Sequence, residues 1–219
     1  MARSWSNHKI SWPGKGGKHL SQAKRLIPPV IYSKLSEDSF DPNSAENFSL
    51  LYDRHHLAIY RFIYGLLGTS SEEAEDLTAA TFERAWQARR RFRGSEAAAG
   101  GWLFTIARRL AIDAHRRRQV RGPSEDIEIA DLLDSNGTPE EQALTRQQHQ
   151  TLWKLLHSLS LEHREMVVLR YMLDWRVMDI ARHLKMTENN VSVTLRRTLE
   201  RLHRDWPRFE REEKNDVTL

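Results

Sequence analysis

The sequence predicts an all-α protein: two small helical domains joined by an acidic linker. Three observations carry this. Apolar residues recur at three- and four-residue steps over two separate stretches, about 44–118 and about 142–206. No stretch alternates with period two, so no strand is expected. Between the two helical stretches the composition turns acidic and helix-breaking. With 219 residues, 39% of them hydrophobic, the chain can bury two small cores.

In chain order, residues 1–43 come first. They hold Pro13, Gly14, Gly16, Gly17, Pro28 and Pro29, and basic residues outnumber acidic ones. No period is sustained, so this reads as a flexible basic arm. Phe48, Leu51, Tyr52, Ile59, Phe62, Ile63 and Leu66 then mark a helix that Gly68 stops. Ser70 and Glu73 form a capping-box pair that starts a second. A third runs from about Gly101 to Arg118. The small-residue stretch 91–101 before it reads as a glycine-bounded loop able to admit a flipped base.

The linker, 119–141, carries Glu125, Asp126, Glu128, Asp131, Asp134, Glu140 and Glu141 against Arg121, with Gly122, Pro123, Gly137 and Pro139 as breakers. Beyond it Leu152, Leu155, Leu156 and Leu159 form an apolar stripe. Ser160 caps a helix reaching about Arg170, and Val177, Ile180, Ala181 and Leu184 mark a short one. Thr187 caps a last helix from Glu188 to about Trp206. A charged tail, 207–219, follows.

Composition excludes several classes of function. The absence of cysteine removes disulfides, cysteine-ligated zinc and thiol nucleophiles. No apolar run approaches the ~18 residues that span a bilayer. No continuous apolar leader opens the chain, so a cytoplasmic protein without membrane contact is expected. The stretch Gly14–His19 fails as a phosphate loop: Trp12 stands where its first glycine belongs, and His19 where Ser or Thr would hold magnesium. No metal motif and no paired carboxylates appear. No cofactor, small-molecule substrate or catalytic activity is expected.

Two features suit nucleic acid. The pair of helices around Lys185 reads as a helix-turn-helix. On a wheel, Val191, Leu195, Thr198, Leu202 and Trp206 face inward. Asn189, Val193, Arg196, Arg197, Glu200 and Arg204 face out. Arginine suits guanine edges and phosphates, asparagine suits adenine, and an exposed valine suits a thymine methyl. The other feature is nine arginines between Arg89 and Arg118 against Glu96 and Asp113. There Leu103, Ile106, Ala107, Leu110 and Ala114 line one helix face, and Trp102, Thr105, Arg109 and Arg116 another. An aromatic among arginines suits single strands, with bases stacking and guanidinium groups holding phosphates. Each pattern alone also fits an ordinary solvated helix.

The order of the parts carries more. Ala74–Trp86 (AEDLTAATFERAW) resembles the polymerase-binding helix of the extracytoplasmic-function (ECF) group of sigma-70-type sigma factors. Trp102–Asp113 (WLFTIARRLAID), with Arg116–Arg118 after it, resembles their promoter-melting helix. Leu159–Tyr171 (LSLEHREMVVLRY) resembles the opening of their second domain.

The resemblance implies roles. Glu75, Asp76, Glu83 and Gln87 would meet the polymerase core, on its beta-prime and beta subunits. Arg90, Arg93, Trp102, Thr105, Arg108, Arg109, Arg116 and Arg117 would hold the opened −10 element. Thr187, Asn189, Asn190, Ser192, Val193, Arg196 and Arg197 would read the −35 duplex. Promoter DNA and an anti-sigma factor would be the further partners, and the acidic linker would thread channels built for nucleic acid.

Three positions depart from the family's usual pattern. Ala79-Ala80 replace polar or acidic residues, Lys185 replaces a turn glycine, and Ser192-Val193-Thr194 replace a basic-small-basic trio. The positive charge moves to Arg196 and Arg197, so a weaker phosphate grip by the helix N-terminal half is expected. The rival reading, a stand-alone helix-turn-helix regulator, explains 142–206 but leaves Asp76–Trp86 and Trp102–Arg118 without a purpose.

Overall fold

The computed structural model describes residues 44–121 and 151–216, all of them helix, turn or short connection. The basic arm, nearly all of the acidic linker and residues 142–150 lie outside the described residues.

Helix α1 spans Ala45–Leu67. The Ser44 side chain accepts from the Asn47 N–H, and Glu46 sits in the first turn, where a negative charge suits the helix dipole. Gly68 ends it in the left-handed region (φ 56°), its N–H donating to Tyr64 O at 2.8 Å. Helix α2, Ser71–Ala88, is capped by Ser70, which accepts from Glu73 N–H at 3.3 Å. The Glu73 carboxylate is taken up by the Thr69 hydroxyl and the Arg118 guanidinium, which ties the α1–α2 corner to α3. A 3-10 turn, Arg89–Arg91, follows.

Helix α3 spans Glu96–Arg121, five residues earlier than the sequence reading starts it. Residues 96–101 are therefore helix, and the loop expected over 91–101 is reduced to residues 92–95. Alanines favour the helix enough to carry it through two glycines, of which Gly100 lies buried against His55. The three helices pack around Ile59, Phe62, Ile63, Leu66, Leu103, Phe104 and Ala107, each almost fully buried. Burial of each large side chain contributes roughly 1.5–3 kcal/mol.

The second stretch begins with a helix over 151–157, called α4 here. Helix α5, Leu161–Val167, is capped by Ser160. It runs into a π-helical turn, Val168–Met172, past the expected end near Arg170. Asp174 then adopts a positive φ of 53°. Helix α6, Val177–Leu184, and helix α7, Glu188–Asp216, complete the fold. Helix α7 extends ten residues past the expected end at Trp206.

Every described helix lies within one contact unit, Tyr32–Leu219, and one apolar cluster unites the two stretches. Tyr64 of α1 meets Trp153 of α4 edge-on (5.3 Å between rings), and Phe104 of α3 meets Trp175 likewise (4.8 Å).

Candidate nucleic-acid interface

Helix α2 has a clean division of faces. Leu77, Thr81 and Ala85 are buried, while Glu75, Asp76, Ala79, Glu83 and Gln87 are exposed. Gln87 donates to Glu83 at 3.1 Å, which orients that carboxylate along the helix. The exposed side is an acidic edge, complementary to a basic partner surface. At its end Arg89 stacks over Trp86 at 3.5 Å and donates to the Trp86 carbonyl.

Helix α3 has three faces rather than two. Leu103, Ala107, Leu110 and Ala114 enter the core. Trp102, Thr105, Arg109 and Arg116 form an outer row, with Thr105, Arg109 and Arg116 exposed. Trp102 is half-buried against Phe92 at 4.8 Å, so the indole is braced on one side. Thr105 donates back to Gly101 O at 2.9 Å. Arg90, Arg93 and Arg117 are exposed, and Arg93 donates to the carbonyls of Arg90 and Phe92, so its position is fixed by the backbone.

The third face of α3 meets the second stretch, and it takes Arg108 from the row. Arg108 Nε lies 2.7 and 2.9 Å from the two oxygens of Glu165, whose side chain is 1% exposed. Phe104, one turn earlier, packs on Trp175. The two-faced wheel drawn from sequence places Phe104 on neither face, and the family resemblance assigns Arg108 to DNA, so this third face is missed.

The helix-turn-helix is built as expected from α6 and α7. Lys185 adopts the left-handed conformation (φ 56°, ψ 43°) that glycine would take without strain. The turn is closed by Met186 N–H donating to Ala181 O at 2.9 Å. Thr187 caps α7, accepting from Asn190 N–H at 3.2 Å. Val191, Leu195, Thr198 and Leu202 are buried. Asn189, Asn190, Ser192 and Arg196 are exposed, whereas Val193 is half-buried. Arg196 and Arg197 point to different sides. Arg197 lines a shallow cleft with Thr194, Arg201, Leu159 and His163, away from the Asn189–Arg196 row.

The sequence reading misses Arg164. It is 4% exposed and donates to four carbonyls: Leu156 (2.9 Å), Leu66 (3.0 Å), His157 (3.0 Å) and Leu159 (3.3 Å). These carbonyls lie at or just past the C-terminal ends of α1 and α4, where helix geometry leaves acceptors short of partners; Leu156 O also accepts from the Leu159 N–H at 3.1 Å. Burial lowers the Arg164 pKa to about 10, so it stays charged at neutral pH. Beside it His157 is pushed down to about 4 by burial and by the charges of Arg164 and Arg118, with His115 adding to the effect. Among the described residues no group of His, Asp or Glu could hold a metal ion, and no helix is long and apolar enough to cross a membrane.

Comparison with known proteins agrees with this geometry. Residues 51–121 match the family model for sigma-70 region 2, and residues 149–202 match that for sigma-70 region 4. The chain is 27% identical over 164 residues to the ECF RNA polymerase sigma factor SigX of Bacillus subtilis, covering 73% of this chain and 83% of SigX. It is 32% identical over 150 residues to the ECF RNA polymerase sigma factor SigL of Mycobacterium tuberculosis, covering 66% and 80%. The fold is shared with the sigma factor RpoE solved with the anti-sigma factor NepR from Bartonella quintana. There the TM-score is 0.58 at 23% identity, over 73% of this chain and 96% of that one. It is shared also with CnrH solved with the cytosolic domain of CnrY (TM-score 0.53, 20% identity, 73% and 86% covered). With two family models over more than half its length, the chain belongs to the ECF group of sigma-70-type RNA polymerase sigma factors, which direct promoter-specific transcription initiation.

Proposed function

We propose that the two helical stretches divide promoter recognition between them. The acidic edge of α2 (Glu75, Asp76, Glu83 and Gln87) docks on the polymerase core at its beta-prime and beta subunits. The outer row of α3 then holds the separated −10 strand: Trp102 offers a stacking face, while Arg90, Arg93, Arg109, Arg116 and Arg117 neutralise phosphates. Helix α7 enters the major groove at the −35 element, with Thr187, Asn189, Asn190 and Ser192 at its N-terminal end and Arg196 a turn further on. The observation that carries this reading is the braced indole in line with an exposed arginine row, on the same chain as a capped helix-turn-helix.

The half-buried Val193 and the sideways Arg197 narrow the −35 reading. Direct base contact falls to Asn189, Ser192 and Arg196, and Arg197 serves a phosphate at the groove wall. In this scheme the chain performs no chemistry of its own. Polymerase makes the RNA, and this subunit supplies specificity and strand separation in the cytoplasm. An anti-sigma factor would bind it, as NepR binds RpoE in the Bartonella quintana complex.

The test is run-off transcription with core polymerase on a pool of promoters. Defined start sites that appear only with this protein support the proposal. Duplex binding by the protein alone, with no polymerase association and no new starts, would leave a stand-alone regulator instead.

A further inference from the structure

We infer that the shallow cleft between the start of α5 and the middle of α7 is a seat for a terminal phosphate group, carried by free pyrophosphate or by the polyphosphate end of a nucleotide. Leu159, His163, Thr194, Arg197, Thr198 and Arg201 line it, around a volume of about 230 Å³. None of them is acidic. Two observations carry the inference.

The first is a set of donors without acceptors. Thr198 is 4% exposed, yet its hydroxyl bonds to no described residue. Buried threonines elsewhere close back on their own helix: Thr78 donates to Ala74 O and Thr81 to Leu77 O, both at 2.7 Å. Thr194 and Thr198 do not, and both line the cleft. A buried hydroxyl is unfavourable unless an acceptor enters. The Arg197 guanidinium and the His163 ring likewise pair with no described residue. Arg201 makes only long contacts, to Asp205 Oδ2 and Ser158 O at 3.5 Å each, and Asp205 is shared with Arg204. Two guanidinium groups therefore keep most of their donors open.

The second is the kind of phosphate that fits. A duplex phosphodiester has two free oxygens and a sugar on either side. A terminal phosphate has three free oxygens and one open end. Five side chains offer donors here, and the innermost, Thr198, is reached only by a group that enters the cleft. Arginine adds a planar fork matched to phosphate oxygens. These features favour a terminal phosphate over the DNA backbone. Arg197 is assigned above to a groove-wall phosphate, so occupant and duplex compete for it. That competition rests on the −35 reading; the seat itself does not.

Isothermal titration of the full chain with sodium pyrophosphate tests the seat, in magnesium-free buffer with chloride at matched ionic strength. Saturable binding is expected, and Thr198→Val should weaken it about fivefold, as for one hydrogen bond lost. The same variant should unfold no more easily than the parent, because the hydroxyl it removes has no partner; a threonine with a structural role would lose stability instead. Arg197→Gln and Arg201→Gln should each weaken binding about tenfold or more. Arg204→Gln, an equal loss of charge outside the cleft, should change it less than about twofold. Guanosine triphosphate forms the second arm. Tighter binding than pyrophosphate identifies a nucleotide, equal or weaker binding identifies the free anion, and both uphold the seat. No saturable binding at millimolar pyrophosphate overturns it, as does equal weakening by Arg204→Gln, the mark of diffuse charge. Duplex binding that Thr198→Val weakens as much as pyrophosphate binding hands the cleft to the DNA backbone and overturns it too. A chain that binds pyrophosphate as described but starts no transcripts removes the promoter reading and leaves the seat standing.

Discussion

Arg164→Met tests whether one guanidinium holds the ends of two helices. The parent side chain donates to Leu156, His157 and Leu159 at the end of α4 and to Leu66 at the end of α1. Burying the charge is unfavourable: a pKa lowered from 12.5 to about 10 corresponds to roughly 3 kcal/mol. The four charge-assisted bonds offset that cost, at about 1.5–3 kcal/mol each before non-additivity. Methionine removes the burial cost and refills most of the volume, but it leaves several buried carbonyls unmet at about 1–3 kcal/mol apiece. The balance is a net loss of about 3–5 kcal/mol, as for other broken buried polar clusters. Urea unfolding followed by far-UV circular dichroism measures it, with the fitted slope checked for constancy. Arg164→Lys should recover part of the loss, since an ammonium reaches some of the carbonyls without the planar fork. A methionine variant within 1 kcal/mol of the parent refutes the double-cap reading.

Three further outcomes are expected. His157 is held neutral, with a pKa depressed from 6.5 to about 4 among Arg164, Arg118 and His115, while Glu73 pairs with Arg118. A depressed histidine contributes stability that is full above pH 6.5 and is lost as pH falls toward 4. Unfolding free energy should therefore drop by about 1–2 kcal/mol between pH 7.5 and pH 5, and His157→Gln should flatten that slope; an unchanged slope would contradict the assignment. Lys185→Gly relieves a left-handed lysine and should raise stability by about 0.5–1 kcal/mol with duplex binding unchanged, whereas a lower urea midpoint would argue against strain there. Glu83→Lys reverses charge on the exposed edge of α2 and should weaken association with core polymerase at least tenfold with unaltered helical content, measured by co-purification and competition. Association equal to the parent would move the docking surface elsewhere.

The elements of the fold were legible where local chemistry decides them. Ser70, Ser160 and Thr187 cap because a hydroxyl before an apolar-periodic run meets the first free N–H groups, and each does so here. Gly68 stops α1 for an equally local reason. The start of α3 was not legible, because two adjacent glycines read as a break, while in the structure Gly100 packs against His55 and the helix runs through both. What the sequence conceals is the packing of the two helical stretches against each other. Trp153 sits beside a leucine stripe and faces Tyr64, a residue far away in the chain. Glu165 and Arg164 look like an ordinary charged helix surface until α1 and α3 bury them. Arg108 illustrates the difficulty: its neighbours Arg109 and Arg116 are exposed as the wheel predicts, while a step of 100° turns Arg108 toward Glu165 of the second stretch. A helix wheel distinguishes inside from outside, but it cannot say that the outside has two occupants.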